Sequence, residues 1–318
     1  MALTGRQALA KPSGALSFGP AQAFSFRTLV ELVRERARGT YVPALASASE
    51  VLDKLDYDEL GKVAYPLAKA LYRDLDYPVT FFHLGAFFRR PVQIFEFRRG
   101  VAREIIYHED LFSYPPDSPP KDIPEGAGFA GFRLHDAHLP ASTRQAGDWL
   151  AFLGASYFRS AGDAGQYGIS ARGLALNTAN PEPPHTEEFP DFTRFYISPP
   201  AKGVIEILAL LEGESVTGAY RFLVRKRPSI TMDVECELVL RRDVARLGIA
   251  PATSMYYYSE TYRTQGTDYR PKVHDSDGLA LWAGRFRRAI MASAEQSGSN
   301  HGELVHGQDS EGLRPPAA

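Results

Sequence analysis

Residues 203–226 read GVIEILALLEGESVTGAYRFLVRK, and this stretch decides the class of fold. It contains two apolar, β-rich runs, residues 204–211 and 216–224, separated by the turn-forming sequence Gly-Glu-Ser. Runs of this length that are bounded by turn residues are typical of β-strands. We therefore expect a strand, a turn and a second strand.

The same pattern recurs along most of the chain. Further β-rich runs, each bounded by Pro, Gly or polar turn residues, include PVTFFHLGAFF, PVQIFEF, VAREIIY, GFAGFRLH, WLAFLGASYFR and SITMDVECELVLRR. About ten strands with turn signals between them, and almost no long helix, predict an all-β fold built as a large antiparallel β-sandwich.

The N-terminal part follows a different pattern. The segment SFRTLVELVRERARG (residues 25–39) predicts a helix, because Ser25 can cap its start, Leu29 and Val33 belong to an apolar stripe, and Gly39 can end it. A short helical turn is expected around DYDELG (residues 56–61).

The two ends of the chain differ in composition from the rest. Residues 1–23 carry the small-residue pattern Ala21-Gln22-Ala23 of a signal-peptidase site without a continuous apolar region, so we assign them to a leader or signal remnant. The sandwich domain is expected over residues 24–282. Residues 283–318 form a divergent tail; we expect disorder over 293–318 and consider a short helix over 281–292.

The charge balance excludes some classes of partner. The 36 Lys and Arg residues against 38 Asp and Glu give a formal charge of −2, which does not favour binding to nucleic acid. No apolar run approaches the roughly 18–20 residues of a membrane span. The single cysteine, Cys236, excludes an internal disulfide, and we expect it to be a small core side chain.

The acidic stretch TDYRPKVHDSDGLALW (residues 267–282) is the first candidate site. Its carboxylates resemble part of a calcium loop, but the further acidic positions and the distal Glu of such a loop are missing. Two alternatives remain: an Asx-type turn that caps backbone amides, or a loop that holds a proton-transfer carboxylate. The upstream sequence MYYYSETYRTQG favours the second, because aromatic faces and planar donors suit sugar rings.

A second acidic cluster, HTEEFPDF (residues 185–192), contains Glu187, Glu188 and Asp191 on a proline-bounded loop. Such a loop commonly does no more than solvate a surface. Combined with Asp275, however, it would supply the two carboxylates that cleave a glycosidic bond, one protonating the leaving oxygen and the other activating water or attacking carbon.

Other chemistries lack their motifs. No phosphate-binding glycine loop is present, and the histidines show no zinc-ligand spacing. The sequence GASYF has Phe158 where the serine-hydrolase motif GxSxG requires a second Gly. We therefore expect no cofactor and no metal.

Several of these segments resemble the bacterial glucan biosynthesis protein G and D family, which is involved in osmoregulated periplasmic glucans. The similar motifs are FHLGAFFRRPVQIFE, GFAGFRLH, FLGASYFR, YGISARGLALNTA, EEFPDF, TGAYRFLV, LRRDVARLGIAPATSM and DYRPKVHDSDGL. The resemblance extends from about Phe24 to Leu281. It implies a β-sandwich of the galactose-mutarotase-like super-sandwich type, followed in the family by a smaller immunoglobulin-like domain.

The resemblance also implies an activity. Family members are exported to the periplasm and act on β-1,2-linked glucans as endo-acting, inverting glucanases. The first Asp of the family's HDS(D/N)G motif is the general acid, here Asp275, sustained in its protonated form by partial burial under the tyrosine-rich loop. The base lies near EEFPDF, with Glu188 as first choice and Glu187 and Asp191 as the others.

The same resemblance assigns substrate contacts and partners. Tyr269 would help to close the loop and, with Arg270 and His274, would contact sugar hydroxyls, while Arg172 and Tyr157 would line the cleft. The expected partners are β-1,2-linked glucan chains and membrane-bound glucan synthesis machinery. A non-catalytic glucan-binding protein of the same pathway and an inactive truncated product are the alternatives.

Two departures from the family pattern bear on these expectations. The family continues past HDSDGL with further sandwich strands and the second domain, whereas here the pattern is lost near Leu281, as in a truncated chain. The export signal is also absent or degraded.

Overall fold

The computed structural model describes residues 15–43, 50–116, 127–140, 147–162, 165–178, 185–227, 229–253, 255, 258, 269–276, 278–282 and 289–293. Within these residues the helices are α1 (Phe26–Arg38), α2 (Glu50–Asp53) and α3 (Tyr57–Lys62), with 3-10 turns at Leu67–Lys69 and Glu109–Leu111. The strands are β1 (Ser17–Phe18), β2 (Gln22–Ala23), β3 (Val79–His83), β4 (Gln93–Arg98), β5 (Val101–Ile106), β6 (Phe129–His135), β7 (Asp148–Leu153), β8 (Tyr157–Ser160), β9 (Ala171–Arg172), β10 (Leu174–Leu176), β11 (Asp191–Ile197), β12 (Val204–Glu212), β13 (Val216–Arg225), β14 (Thr231–Leu240), β15 (Leu247–Ile249), β16 (Gly278–Trp282) and β17 (Ala289–Ser293).

The larger sheet has the strand order β1-β5-β4-β11-β12-β13-β14, with β2 also paired to β5. The predicted pair of strands is present as β12 and β13, which are antiparallel with Val204 opposite Arg225 and Glu212 opposite Thr217. The pairing of β11 with β4 is parallel. The other pairings of this sheet are antiparallel in the described residues.

The second sheet has the order β3-β6-β7-β8-β9 and is antiparallel in its described pairings. The two sheets meet through aromatic side chains. The Phe152 ring of the second sheet lies 5.4 Å from the Phe195 ring and 5.2 Å from the Phe222 ring of the larger sheet, measured between centroids. The predicted all-β sandwich is therefore confirmed.

The helix α1 covers the outer face of the larger sheet. Ser25 caps it as predicted, since its Oγ accepts a hydrogen bond from the Thr28 amide at 3.1 Å. Leu29 and Val33 of α1 pack in a second cluster with residues of β12 and β13, such as Leu208. The strands β12 and β13 are thus buried on both faces, which explains their nearly continuous apolar sequence. In the described part of the chain, no helix is long and apolar enough to cross a membrane.

Ordered structure begins before the predicted boundary at residue 24. The strands β1 and β2 add to the edge of β5, and the Gly19 amide donates to the Glu104 carbonyl at 2.8 Å. Phe18 also packs against the main core. Part of the segment assigned to a leader is therefore joined to the sheet by backbone hydrogen bonds, while residues 1–14 lie outside the described part of the chain.

The helix considered over residues 281–292 is wrong. The strands β16 and β17 form a two-stranded antiparallel sheet, with Gly278 opposite Ser293 and Trp282 opposite Ala289. The sequences GLALW and AIMAS each supply five residues for this pairing. Residues 294–318, for which disorder was expected, lie outside the described part of the chain.

The prediction that Cys236 lies in the core is also wrong, because the side chain is exposed. Cys236 lies on β14, the last strand in the order of the larger sheet. The neighbouring residues 233–235 of this edge strand are also exposed. An apolar sequence pattern does not distinguish an edge strand from a central one.

Gly131 provides a test of how closely the second sheet packs. A Cβ atom at this position would lie 2.1 Å from the Phe152 carbonyl oxygen of β7, so the Gly131→Ala change would force two central strands apart. We expect the free energy of unfolding, measured by urea denaturation, to fall by at least about 2 kcal/mol. Gly61→Ala in α3 is the matched control, because a Cβ atom there meets nothing within 4 Å. Equal effects of the two changes would contradict this packing.

Candidate functional site

The candidate site residues gather around one extended segment, residues 165–178, which contains β9 and β10 and is called here the central segment. The acidic loop, residues 269–276, attaches near the start of this segment. The Ser276 Oγ accepts a hydrogen bond from the Ile169 amide at 3.1 Å. Val273 of the loop is paired with Tyr258 through backbone hydrogen bonds of 2.8 and 2.9 Å. The loop is therefore anchored at the edge of the second sheet.

Asp275 is exposed, and so the partial burial expected for it is not found among the described residues. Tyr269, expected to help close the loop over the substrate, is 96% exposed. Arg270 is also exposed and His274 is half-buried. Residues 259–268, which hold most of the tyrosine-rich sequence, lie outside the described part of the chain.

Arg172 and Tyr157 are brought together, as expected for residues of one cleft. They are paired across β8 and β9, and the Arg172 guanidinium lies 4.6 Å from the centroid of the Tyr157 ring. On its other side is the Phe189 ring, whose centroid is 3.9 Å away. The Nε of Arg172 is buried, and the described residues offer it no hydrogen-bond partner. This stacked group joins the second acidic loop to the central segment.

Glu188 has a defined structural position. Its backbone pairs with Leu176 at the end of the central segment. Its Oε1 accepts a hydrogen bond at 2.9 Å from the amide of Ser215, in the turn between β12 and β13. Its Oε2 lies 3.8 Å from an Arg242 nitrogen, and the side chain is only 15% exposed. Glu187, by contrast, is exposed.

Asp191 forms an ion pair with Arg90 at 2.5 Å at the start of β11. Burial, together with the Asp191 carboxylate, raises the pKa of the Tyr41 hydroxyl beside this pair. Arg90 and Asp191 also line a cavity of about 350 Å³, together with Phe87, Gly154 and Thr193 among others. The three candidate bases therefore occupy three different environments.

The acidic loop and the second acidic loop contact neighbouring residues of the central segment. Ser276 contacts Ile169, and the Phe189 ring contacts Arg172, three residues further along. Three residues of chain span at most roughly 11 Å. Each loop carries a carboxylate, and the Arg172 guanidinium stacks on the Tyr157 and Phe189 rings where the second acidic loop meets the central segment. Groups of these kinds can bind a polyhydroxylated chain and exchange protons with it.

Sequence reasoning missed four residues of this region: Phe189, Arg90, Tyr41 and Arg242. Phe189 had a detectable signal, because it is an aromatic residue inside an otherwise acidic, proline-bounded loop. Arg90 and Arg242 lie 101 and 54 residues from their partners Asp191 and Glu188, and no sequence pattern at such a distance reveals an ion pair. Tyr41 follows the first helix, with no local sign that it meets these carboxylates.

The sequence is similar to a known protein family and to several named relatives. The profile described as "Periplasmic glucan biosynthesis protein, MdoG" matches residues 24–292. The chain is 45% identical over 281 residues to Glucans biosynthesis protein D 2 of Ralstonia nicotianae, covering 86% of the chain and 52% of that protein. It is 41% identical over 277 residues to Glucans biosynthesis protein D of Xylella fastidiosa, covering 84% and 49%. The chain thus spans about half the length of the curated relatives it matches.

The contacts of Glu188 predict a measurable structural role. The Glu188→Ala change leaves the buried Ser215 amide without its acceptor, so we expect the free energy of unfolding to fall by about 1–3 kcal/mol in urea denaturation. Glu214→Ala is the control, because Glu214 also pairs with Arg242 but its side chain is 64% exposed. We expect this control to change stability by less than about 0.5 kcal/mol. Equal stability of the two variants would show that the Ser215 contact contributes nothing.

Proposed function

Because the chain belongs to the MdoG family of periplasmic glucan biosynthesis proteins, we propose that it acts in osmoregulated periplasmic glucan biosynthesis by hydrolysing the backbone of β-1,2-linked glucans. The observation that carries this proposal is the contact of both acidic loops with neighbouring residues of the central segment. The chemistry requires two carboxylates on either side of a bound sugar chain. It needs no cofactor.

Asp275 is the general acid in this proposal. Its proton passes to the glycosidic oxygen as the bond from that oxygen to the anomeric carbon breaks, and water attacks the same carbon from the opposite face. The water gives its proton to the base, directly or through a further water or a sugar hydroxyl. Because Asp275 is exposed in the free protein, the bound glucan would be the group that shields its carboxyl from solvent.

Glu188 is the proposed general base, with Glu187 and Asp191 as the alternatives. The Ser215 amide occupies one oxygen of Glu188, and a carboxylate has about four lone-pair sites, so capacity remains to accept a proton from water. Asp191 is less suited, because its carboxylate is already engaged in a 2.5 Å ion pair with Arg90. Glu187 is exposed.

The substrate contacts follow the same geometry. Tyr269 and Arg270 are exposed on the acidic loop, where with His274 they can reach the hydroxyls of a bound chain. Arg172 and Tyr157 would line the cleft next to Phe189. The buried Nε–H of Arg172, which has no acceptor among the described residues, would become a donor for a sugar oxygen if the bound chain reaches it. In the periplasm, glucan chains delivered by membrane-bound synthesis machinery would be the substrate.

A second candidate function is glucan binding without hydrolysis. The observation that favours it is the state of the two proposed carboxylates: Asp275 is exposed, and Glu188 is held by Ser215. Under this alternative the protein would present chains to the synthesis machinery. Glucan binding without new reducing ends over long incubation distinguishes it from hydrolysis.

The first functional prediction concerns Asp275. The Asp275→Asn change removes the proton donor, so we expect release of oligosaccharides from linear β-1,2-glucan to fall at least about 100-fold, measured by mass spectrometry of the products. Glucan binding should persist. The control is Asp74→Asn, whose carboxyl pairs with Arg73 and is 79% exposed. Unchanged product formation in Asp275→Asn would remove the assignment.

The second functional prediction concerns Glu188. The Glu188→Gln change keeps an acceptor for the Ser215 amide but removes the basic oxygen. We therefore expect a stability close to that of the parent protein together with a loss of hydrolysis of at least about 100-fold. If Glu188→Gln remains active while Glu187→Gln or Asp191→Asn is inactive, the base is the residue whose change abolishes product.

A further inference from the structure

The cavity beside Asp191 is lined by neither of the two carboxylates assigned first to the proposed reaction, Asp275 and Glu188. It has a volume of about 350 Å³ and lies between the stretch from Ala86 to Val92, the turn at Gly154 and the start of β11. This volume is at the lower end of the range of ligand sites, which is about 300–1,000 Å³. The cavity can therefore hold a small unit and not a whole polymer.

The charges around the cavity cancel in pairs. Arg90 pairs with Asp191, and Arg89, the other basic side chain of the lining, pairs with Asp53. Each cation is therefore neutralised by a partner in the protein. An anionic ligand would have to compete with these carboxylates, whereas a neutral ligand need not. The cavity thus favours an uncharged occupant.

The remaining lining groups suit a sugar. Phe87 is 70% exposed, which leaves the ring accessible to a ligand, and aromatic side chains are common in the lining of small-molecule sites. The hydroxyl of Thr193 donates to Glu212 at 2.8 Å and can still accept a hydrogen bond, and the guanidinium of Arg90 has further N–H groups besides the one that meets Asp191. An apolar ring face beside a few fixed polar groups is the common composition of a specific small-ligand site.

Two residues of the cavity lining are close in the chain to the rings that stack on Arg172. Gly154 is three residues before Tyr157, and Asp191 is two residues after Phe189. We propose that this cavity is a separate subsite that binds a neutral glucosyl unit of the glucan chain, remote from the bond that Asp275 addresses. The inference rests on the proposed function and adds a position at which the chain is held.

The test uses three changes of exposed residues. Phe87→Leu keeps an apolar side chain but removes the flat ring, and Phe87→Tyr keeps the ring. Tyr57→Leu is the control, because Tyr57 is 80% exposed and is not part of the cavity lining. Binding of linear β-1,2-linked glucan oligosaccharides is measured by calorimetry in the full chain. The Asp275→Asn change is added to each variant to prevent cleavage. Thermal unfolding confirms that each variant is folded.

We expect Phe87→Leu to weaken glucan binding about tenfold, whereas Phe87→Tyr and Tyr57→Leu leave it within about twofold of the parent. In the cleavage-competent protein, Phe87→Leu should raise KM and leave kcat nearly unchanged, because the contact is the same in the ground and transition states. Equal binding by all three variants would overturn the subsite while the proposed function stands. If the parent protein binds no β-1,2-linked glucan, both the subsite and the proposed function are overturned.

Discussion

The layer of phenylalanine rings between the two sheets is the contact on which the rest of the structure depends. Phe152 touches rings of both sheets, with centroid distances of 5.0 Å to Phe132, 5.4 Å to Phe195 and 5.2 Å to Phe222. Each such side chain buries roughly 150–250 Å² of surface, so this layer supplies a large share of the apolar burial. Because the rings interlock, the two sheets have one relative position. That position determines where their loops meet.

The candidate site is a consequence of that position. The central segment leaves the second sheet at β9 and continues to β10, and it carries the acidic loop near Ile169 and the second acidic loop at Arg172 and Leu176. The strand β11, which follows the second acidic loop, belongs to the larger sheet. The site therefore spans both layers of the sandwich. A small change in sheet packing would move one acidic loop relative to the other.

The carboxylates of this region differ in their surroundings, and this difference matters for the proposed reaction. Glu188 and Asp191 are held by donors or cations, through Ser215 and Arg90, whereas Asp275 is exposed. The held carboxylates are fixed in position by their partners, whereas nothing comparable among the described residues holds the Asp275 carboxyl. Under the proposed function, hydrolysis and simple binding would differ in what a bound glucan does to the surroundings of Asp275.

Local sequence by itself determined whether each main element is a helix or a strand. Alternating and continuous apolar runs predicted the strands, including β12 and β13, and Ser25 and Gly39 marked both ends of α1. These features depend on interactions between residues close in the chain, which a sequence displays directly. The motif resemblance likewise led to the family.

Only the tertiary structure decided which strands are edges and which side chains meet across the sandwich. The exposure of Cys236, the pairing of residues 289–293 and the addition of residues 17–23 to β5 all depend on strand order. The contacts of Glu188 with Ser215 and of Asp191 with Arg90 join residues 27 and 101 positions apart. Such contacts arise from the packing of whole sheets. The free energy that brings the partners together comes from the whole core, and the local sequence around each partner does not show it.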